Sequence, residues 1–167
     1  SFGLGEGGFA YLMSNEPVHG HQDLKGQKVW IPDGDVISRA MFKAVNVSPI
    51  PLPLPDVLTG LQTGLVNTVG ASPIGAIALQ WHTRVKYVTD TPLMYLYGIM
   101  IVDRKAFDRI SAEDQLIVRE VMEGVFLNLN QINRQDNESA RQALVEQGIS
   151  FIESSSNAQG FWDKALV

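Results

Sequence analysis

Short apolar runs broken by turn residues occupy the N-terminal part of the chain, and one long helical period follows them. Phe9-Ala10-Tyr11-Leu12-Met13 and Gln27-Lys28-Val29-Trp30-Ile31 read as strands, the second stopped by the turn signal Pro32-Asp33-Gly34. Asp35 is placed to N-cap a helix running to about Val45, with Ile37, Met41, Phe42 and Val45 on one face. Ser48 to Pro55 alternates Pro with Ile or Leu, which predicts an edge strand or extended linker, because proline cannot donate to a ladder. Asp56 to Thr63 reads as a helix closed by Gly64, Leu65 to Val69 as a strand, and Gly70-Ala71-Ser72-Pro73 as a loop. A small apolar helix is expected from Ile74 to Trp81, then strands at Val85–Val88 and Leu93–Val102. Before all of these, Gly3, Gly5, Gly7 and Gly8 surround Glu6 and mark either a loop or a close-packed backbone crossing.

From Ser111-Ala112-Glu113-Asp114, a spacing like a capping box, a helical pattern runs without a proline to about Gln147, where Gly148 supplies a stop. Such a helix is about 55 Å long. Leu116, Val121, Val125, Phe126, Leu129 and Ile132 give it a broad apolar face that requires a partner surface. Ile149 to Ile152 reads as a returning strand, and Ser154-Ser155-Ser156-Asn157 as the cap of a last helix. Alternating strands and helices predict an α/β fold.

Composition narrows the function classes. The 167 residues are 45% hydrophobic and 19% charged, enough apolar content to exclude wholesale disorder. Thirteen basic against eighteen acidic residues leave a net charge of −5, so there is no basic footprint for nucleic acid or an anionic membrane. No apolar run approaches the roughly 20 residues of a membrane span. The chain opens on Ser1 without a Met or a signal-peptide pattern, which reads as a mature or partial product. The absence of Cys excludes disulfides, thiolate metal sites and thiol catalysis. No Gly-x-Ser-x-Gly, phosphate loop, dinucleotide fingerprint or His-Glu-x-x-His is present, so the expectation is a protein that is not an enzyme and carries no cofactor. His19-Gly20-His21 lacks a matched third ligand and does not make a metal site.

At Asp23-Leu24-Lys25-Gly26-Gln27-Lys28-Val29-Trp30-Ile31-Pro32 the chain resembles the DctP-type solute-binding subunits of TRAP transporters. The resemblance continues through Pro49-Ile50-Pro51-Leu52-Pro53 and Asp56 to Val66, through the segment after Pro73 with Lys86-Tyr87-Val88-Thr89, and through Asp103 to Phe107 and Ser111 to Gln115. These blocks keep the family's order and spacing from roughly Gly3 to Ile152. The resemblance implies a periplasmic-binding-protein-like α/β receptor of two lobes, with most of the first lobe outside this chain. Its implied organisation is a crossing strand at 1–20, the second ligand-binding lobe at 21–92, a crossing strand and long hinge-spanning helix at 93–148, and a return to the second lobe at 149–167.

Several residues have both a structural and a ligand-binding reading. Trp30 stands where the resemblance implies an Arg that pairs with a ligand carboxylate. An indole offers one N–H and a large apolar face, so it either packs on its strand or walls a cleft. Asp33 and Asp35 suit turn and cap chemistry, or contact with a polar or cationic ligand group. Ser72 lies near the family's polar segment before its Pro, and could take over that contact. Trp81 is either core or cleft wall. Tyr95 and Tyr97 share a face of the aromatic strand, from which one reaches the cleft. Arg84 reads as a solvated surface residue or a substitute cation. The expected ligand residues are thus Trp30, Asp33, Asp35, Ser72, Trp81 and Tyr95.

The resemblance implies an extracytoplasmic, periplasmic protein, free or lipid-tethered, that captures a small organic solute, in the first place an organic acid. It would close about a hinge and deliver that solute to TRAP membrane permease subunits. The alternative is a sensory or accessory module of the same fold that binds a protein partner. Surface left by the missing lobe predicts self-association of this chain.

Overall fold

A computed structural model describes residues 2–155. The element order is β1 (Gly3–Ser14), β2 (Trp30–Pro32), α1 (Val36–Ala44), β3 (Ile50–Leu52), α2 (Val57–Thr63), β4 (Thr68–Ala71), α3 (Pro73–Ala78), β5 (Tyr87–Met100), α4 (Arg104–Phe107), α5 (Ala112–Glu146) and β6 (Ser150–Ile152). Short 3₁₀ turns at Leu54–Asp56 and Trp81–Arg84 lead into α2 and out of α3. The last helix expected after Ser154 lies outside the described residues.

A four-stranded sheet runs in the order β4-β1-β5-β6, with β1 antiparallel to both neighbours and β6 parallel to β5. The two-stranded parallel pair β2–β3 joins it through a bridge between Val29 and Thr68. Successive side chains of β2 face opposite ways, and that alternation sorts the core. Trp30 packs with Val57, Leu61, Val69, Trp81 and Leu144, while Ile31 packs with Leu12, Phe42 and Val45 from the α1 side.

The glycine-rich opening is strand and not loop. Residues Gly3 to Glu6 pair in register with Met100 to Tyr97, and Gly8 pairs with Leu96. Glycine is required because α5 crosses close above: a Cβ at Gly3 would run into the Phe126 ring. A bulge skips Gly7 and sets Gly8 at φ +90°, where a Cβ would sit 2.6 Å from the Asn137 amide.

The two strands expected at Val85–Val88 and Leu93–Val102 form the single strand β5, which carries Pro92 in its middle. It tolerates proline because β6 covers only Tyr87 to Thr89, and the register with β1 shifts around Tyr11, the partner of Pro92. β5 also runs across the boundary expected at residue 92. Ser72, expected in a loop, N-caps α3 directly after β4.

At about 52 Å, α5 outruns the rest of the fold. Its Ser111 cap accepts from the Asp114 N–H at 3.1 Å, and Gly148 closes it at φ +85°. Only Ala140 and Leu144 near its C-terminal end are buried. Leu116, Val121, Val125, Leu129 and Ile132 stay exposed, so among the described residues most of the apolar face has no cover.

Candidate functional site

The long strands β1 and β5 form a floor on which two structural environments meet, one on each face. On the first face, Ala10, Met94 and Leu96 lie under a pocket of about 260 Å³. One wall is Trp30-Ile31-Pro32 of β2 with the start of α1; the other is Ser72 and α3 with Trp81. Four of the six expected ligand residues, Trp30, Asp35, Ser72 and Trp81, line this pocket.

Each is held by chemistry that limits what it offers. Trp30 is buried, and its Nε1–H donates to the Leu52 carbonyl at 3.0 Å. Its ring meets Trp81 edge to face at 5.1 Å. Trp30 therefore supplies apolar surface and no donor. Asp35 Oδ1 accepts from the N–H groups of Ile37 and Ser38 at 3.1 and 3.0 Å, which caps α1. Burial pushes its pKa up, but hydrogen bonds from the Ser38 hydroxyl and from these two N–H groups outweigh that and hold it below the ordinary value. Ser72 Oγ accepts from the Gly75 N–H at 3.3 Å, which leaves its O–H proton available to donate.

Asp33 is exposed in the turn before α1 and does not line the pocket. Tyr95 does not line it either: neighbouring residues on a strand point to opposite faces, and Met94 takes the pocket side. The Tyr95 hydroxyl donates instead to Glu6 at 3.0 Å, on the face crossed by α5. There Arg134 forks onto Glu6 with two bonds of 2.6 Å. The Arg134 hydrogen bond, with that from Tyr95, draws the Glu6 pKa below its ordinary value despite partial burial. Burial first, and then Glu6, raise that of Tyr95. Asn130, Asn133 and Asn137 continue the seam by bonding the β1 backbone at Leu4, Glu6 and Gly7.

The pocket also uses residues that the pattern did not single out. Leu54, Leu79, Met94 and Leu96 had no distinguishing signal, since each reads as ordinary strand or helix filling. Met41 and Phe42 were legible as the inner face of α1, though not as pocket lining. Arg84 is exposed and stands outside the pocket. His19 Nδ1 contacts the Glu153 carbonyl and His82 Nδ1 that of Ala76. No group of three or more His, Asp or Glu among the described residues could hold a metal ion.

A largely apolar pocket between a small α/β layer and two long crossing strands has the form that small-molecule sites take on α/β folds. The model of the bacterial extracellular solute-binding protein family 7, DctP, matches residues 2–166, and the chain belongs to that family. It is 25% identical over 97% of its length to the C4-dicarboxylate-binding periplasmic protein DctP of Rhodobacter capsulatus, covering 49% of that protein. Its fold matches a TRAP periplasmic solute-binding protein of Sulfitobacter sp. with bound β-D-galacturonate, at TM-score 0.91 and 17% identity. That match covers 99% of this chain and 55% of the other. A TRAP periplasmic solute-binding protein of Desulfovibrio salexigens with bound orotic acid matches at TM-score 0.87 and 18% identity, over 98% of this chain and 54% of that one. The chain thus spans about half the length of the relatives it matches. No helix among the described residues is long and apolar enough to cross a membrane.

Proposed function

We propose that the full-length protein is the extracytoplasmic solute-binding subunit of a TRAP-type secondary transporter, capturing a small organic solute and delivering it to membrane permease subunits. The observation that carries this reading is the pocket that gathers Trp30, Asp35, Ser72 and Trp81 over the β1–β5 floor, in a chain of the solute-binding family. Relatives that hold galacturonate and orotic acid make an organic acid the class to test first. The protein would act in the periplasm, where its named relatives act.

In this reading the chain supplies one lobe, and the long strands and α5 lead to the other. The exposed face of α5 and residues Ile99 to Val102, at and just beyond the end of β5, are the surface that the other lobe covers. Closure about the crossing strands desolvates the solute between the two lobes, and no bond is made or broken. The bulge at Gly7 and Gly8 lies where those strands leave the pocket floor, a suitable place for bending.

Native mass spectrometry of the full-length protein, followed by denaturation to release what it holds, tests the proposal. A single small organic molecule in stoichiometric amount is expected. An empty pocket, with a stable protein partner held in its place, would overturn it in favour of an accessory module of the same fold.

A further inference from the structure

The chemistry of the pocket wall narrows the solute further, on the reading that this pocket is the solute site. Among the described residues that line it there is no Lys, Arg or His, and its one ionisable group is Asp35, which stays a carboxylate. A carboxylate on the solute placed against this wall would be desolvated beside a like charge with no counterion. Hydrogen-bonding capacity is equally sparse. The Trp30 N–H is committed to Leu52 and the Ser38 hydroxyl to Asp35, which leaves the Ser72 O–H, the Trp81 N–H and the Asp35 carboxylate as the side-chain groups able to bond a solute. A sugar acid carries a hydroxyl on nearly every carbon, more polar groups than these few side chains can satisfy.

The mouth repeats the pattern of the wall. Leu54 and Leu79 of the walls and Met94 of the floor are between 36% and 52% exposed. Long apolar side chains left in water at a pocket entrance gain most from a partner that is itself apolar. The space is adequate, since an apolar cavity of roughly 150 Å³ already admits a benzene ring, and this one measures about 260 Å³.

We propose that the solute presents an aromatic ring or branched alkyl body to this lobe, seated between the Trp30–Trp81 pair and the rim leucines, with its few polar groups against Ser72 and Asp35. Any carboxylate on the solute points away from this wall. Polyhydroxylated sugar acids such as galacturonate are then poor cargo for this protein.

Titration calorimetry on the full-length protein, freed of bound solute by refolding, tests this with phenylacetate and D-galacturonate as probes. Phenylacetate is expected to bind at least tenfold more tightly than galacturonate. Leu79→Asn and Met94→Gln, both at exposed positions, are each expected to weaken phenylacetate about fivefold without moving the thermal midpoint, because buried apolar contact is lost. Galacturonate binding as tightly as phenylacetate overturns this inference and leaves the solute-capture reading intact. Phenylacetate affinity unchanged in both variants also overturns it, because the ring would then lie elsewhere. Binding of neither probe, in a protein from which no small molecule is released, overturns the solute-capture reading and this inference with it.

Discussion

Asp35 does two things that pull against each other. It caps α1 through Oδ1, which requires an oxygen acceptor but no charge, and it places a negative edge on a pocket otherwise made of apolar surface. Asp35→Asn is expected to keep α1 and leave stability within a few tenths of a kcal/mol, whereas Asp35→Ala loses about 1 kcal/mol in urea unfolding. Glu6 governs a pH dependence of its own. Its folded pKa lies below the ordinary 4.5 because Arg134 and Tyr95 bond the carboxylate. Its contribution is therefore fully present above that value and is lost as the pH falls through the lower, folded pKa. Thermal midpoints between pH 7 and pH 3 are expected to fall less steeply in Glu6→Gln than in the parent. Equal slopes would show that the Arg134 fork adds no stability. The Asp35 cap was legible in the sequence, whereas the Glu6–Arg134–Tyr95 contacts join residues far apart in the chain. Trp30, Asp35, Ser72 and Trp81 stood out because each type has few uses at a turn or strand end, whereas Tyr95, expected with them, turns to the face of Glu6. Its side depends on the register of β5 against β1, which a bulge shifts, and the bulge is set by a partner far away in the chain.

The elements follow their local signals where a signal is local. The caps at Asp35, Ser72 and Ser111 and the stops at Gly64 and Gly148 all fall where their side-chain and backbone chemistry puts them. The glycine run and β5 depart from local expectation for one reason: each is defined by its neighbour. Residues 3–8 form a strand because β5 pairs with them and α5 lies on top, and glycine at positions 3 and 8 keeps a Cβ clear of Phe126 and Asn137. Gly8→Ala is expected to destabilise by about 1–3 kcal/mol, since alanine strains at a positive φ and its methyl group meets Asn137. Adding Asn137→Ala relieves the collision but not the strain, and it releases the bond to the Gly7 carbonyl. Urea unfolding of the double variant should therefore remain below the parent. Full recovery would mean that the backbone at Gly8 is not strained.

At the scale of the molecule, the long helix determines behaviour. Leu116, Val121 and Val125 are about half exposed or more, as are Ile99 and Ile101 near the end of β5, and scattered exposure does not produce such a continuous face. Residues 1–167 by themselves are expected to self-associate through it. Light scattering should give a mass above the 18.4 kDa of one chain, rising with concentration, and Leu116→Glu with Val121→Glu should restore the monomer. A monomer of the parent at high concentration would count against this face as the site of contact. Placing the first lobe over the same face, in the full-length protein, is expected to abolish the association.

By itself the sequence determined the α/β class, the start of α1 at Asp35, the long helix with its ends, and the family's blocks in order. Each of these is written in periodicity or in capping and turn residues that act within a few positions. It also determined that no cysteine chemistry operates, since composition alone settles that. Only the tertiary structure decided which residues share the pocket, that Trp30 spends its N–H on Leu52, and that Tyr95 belongs with Glu6 and Arg134. Those outcomes depend on strand register and on contacts between residues distant in the chain. In a sheet, a shift of one residue sends a side chain to the other face, so no local pattern can specify them.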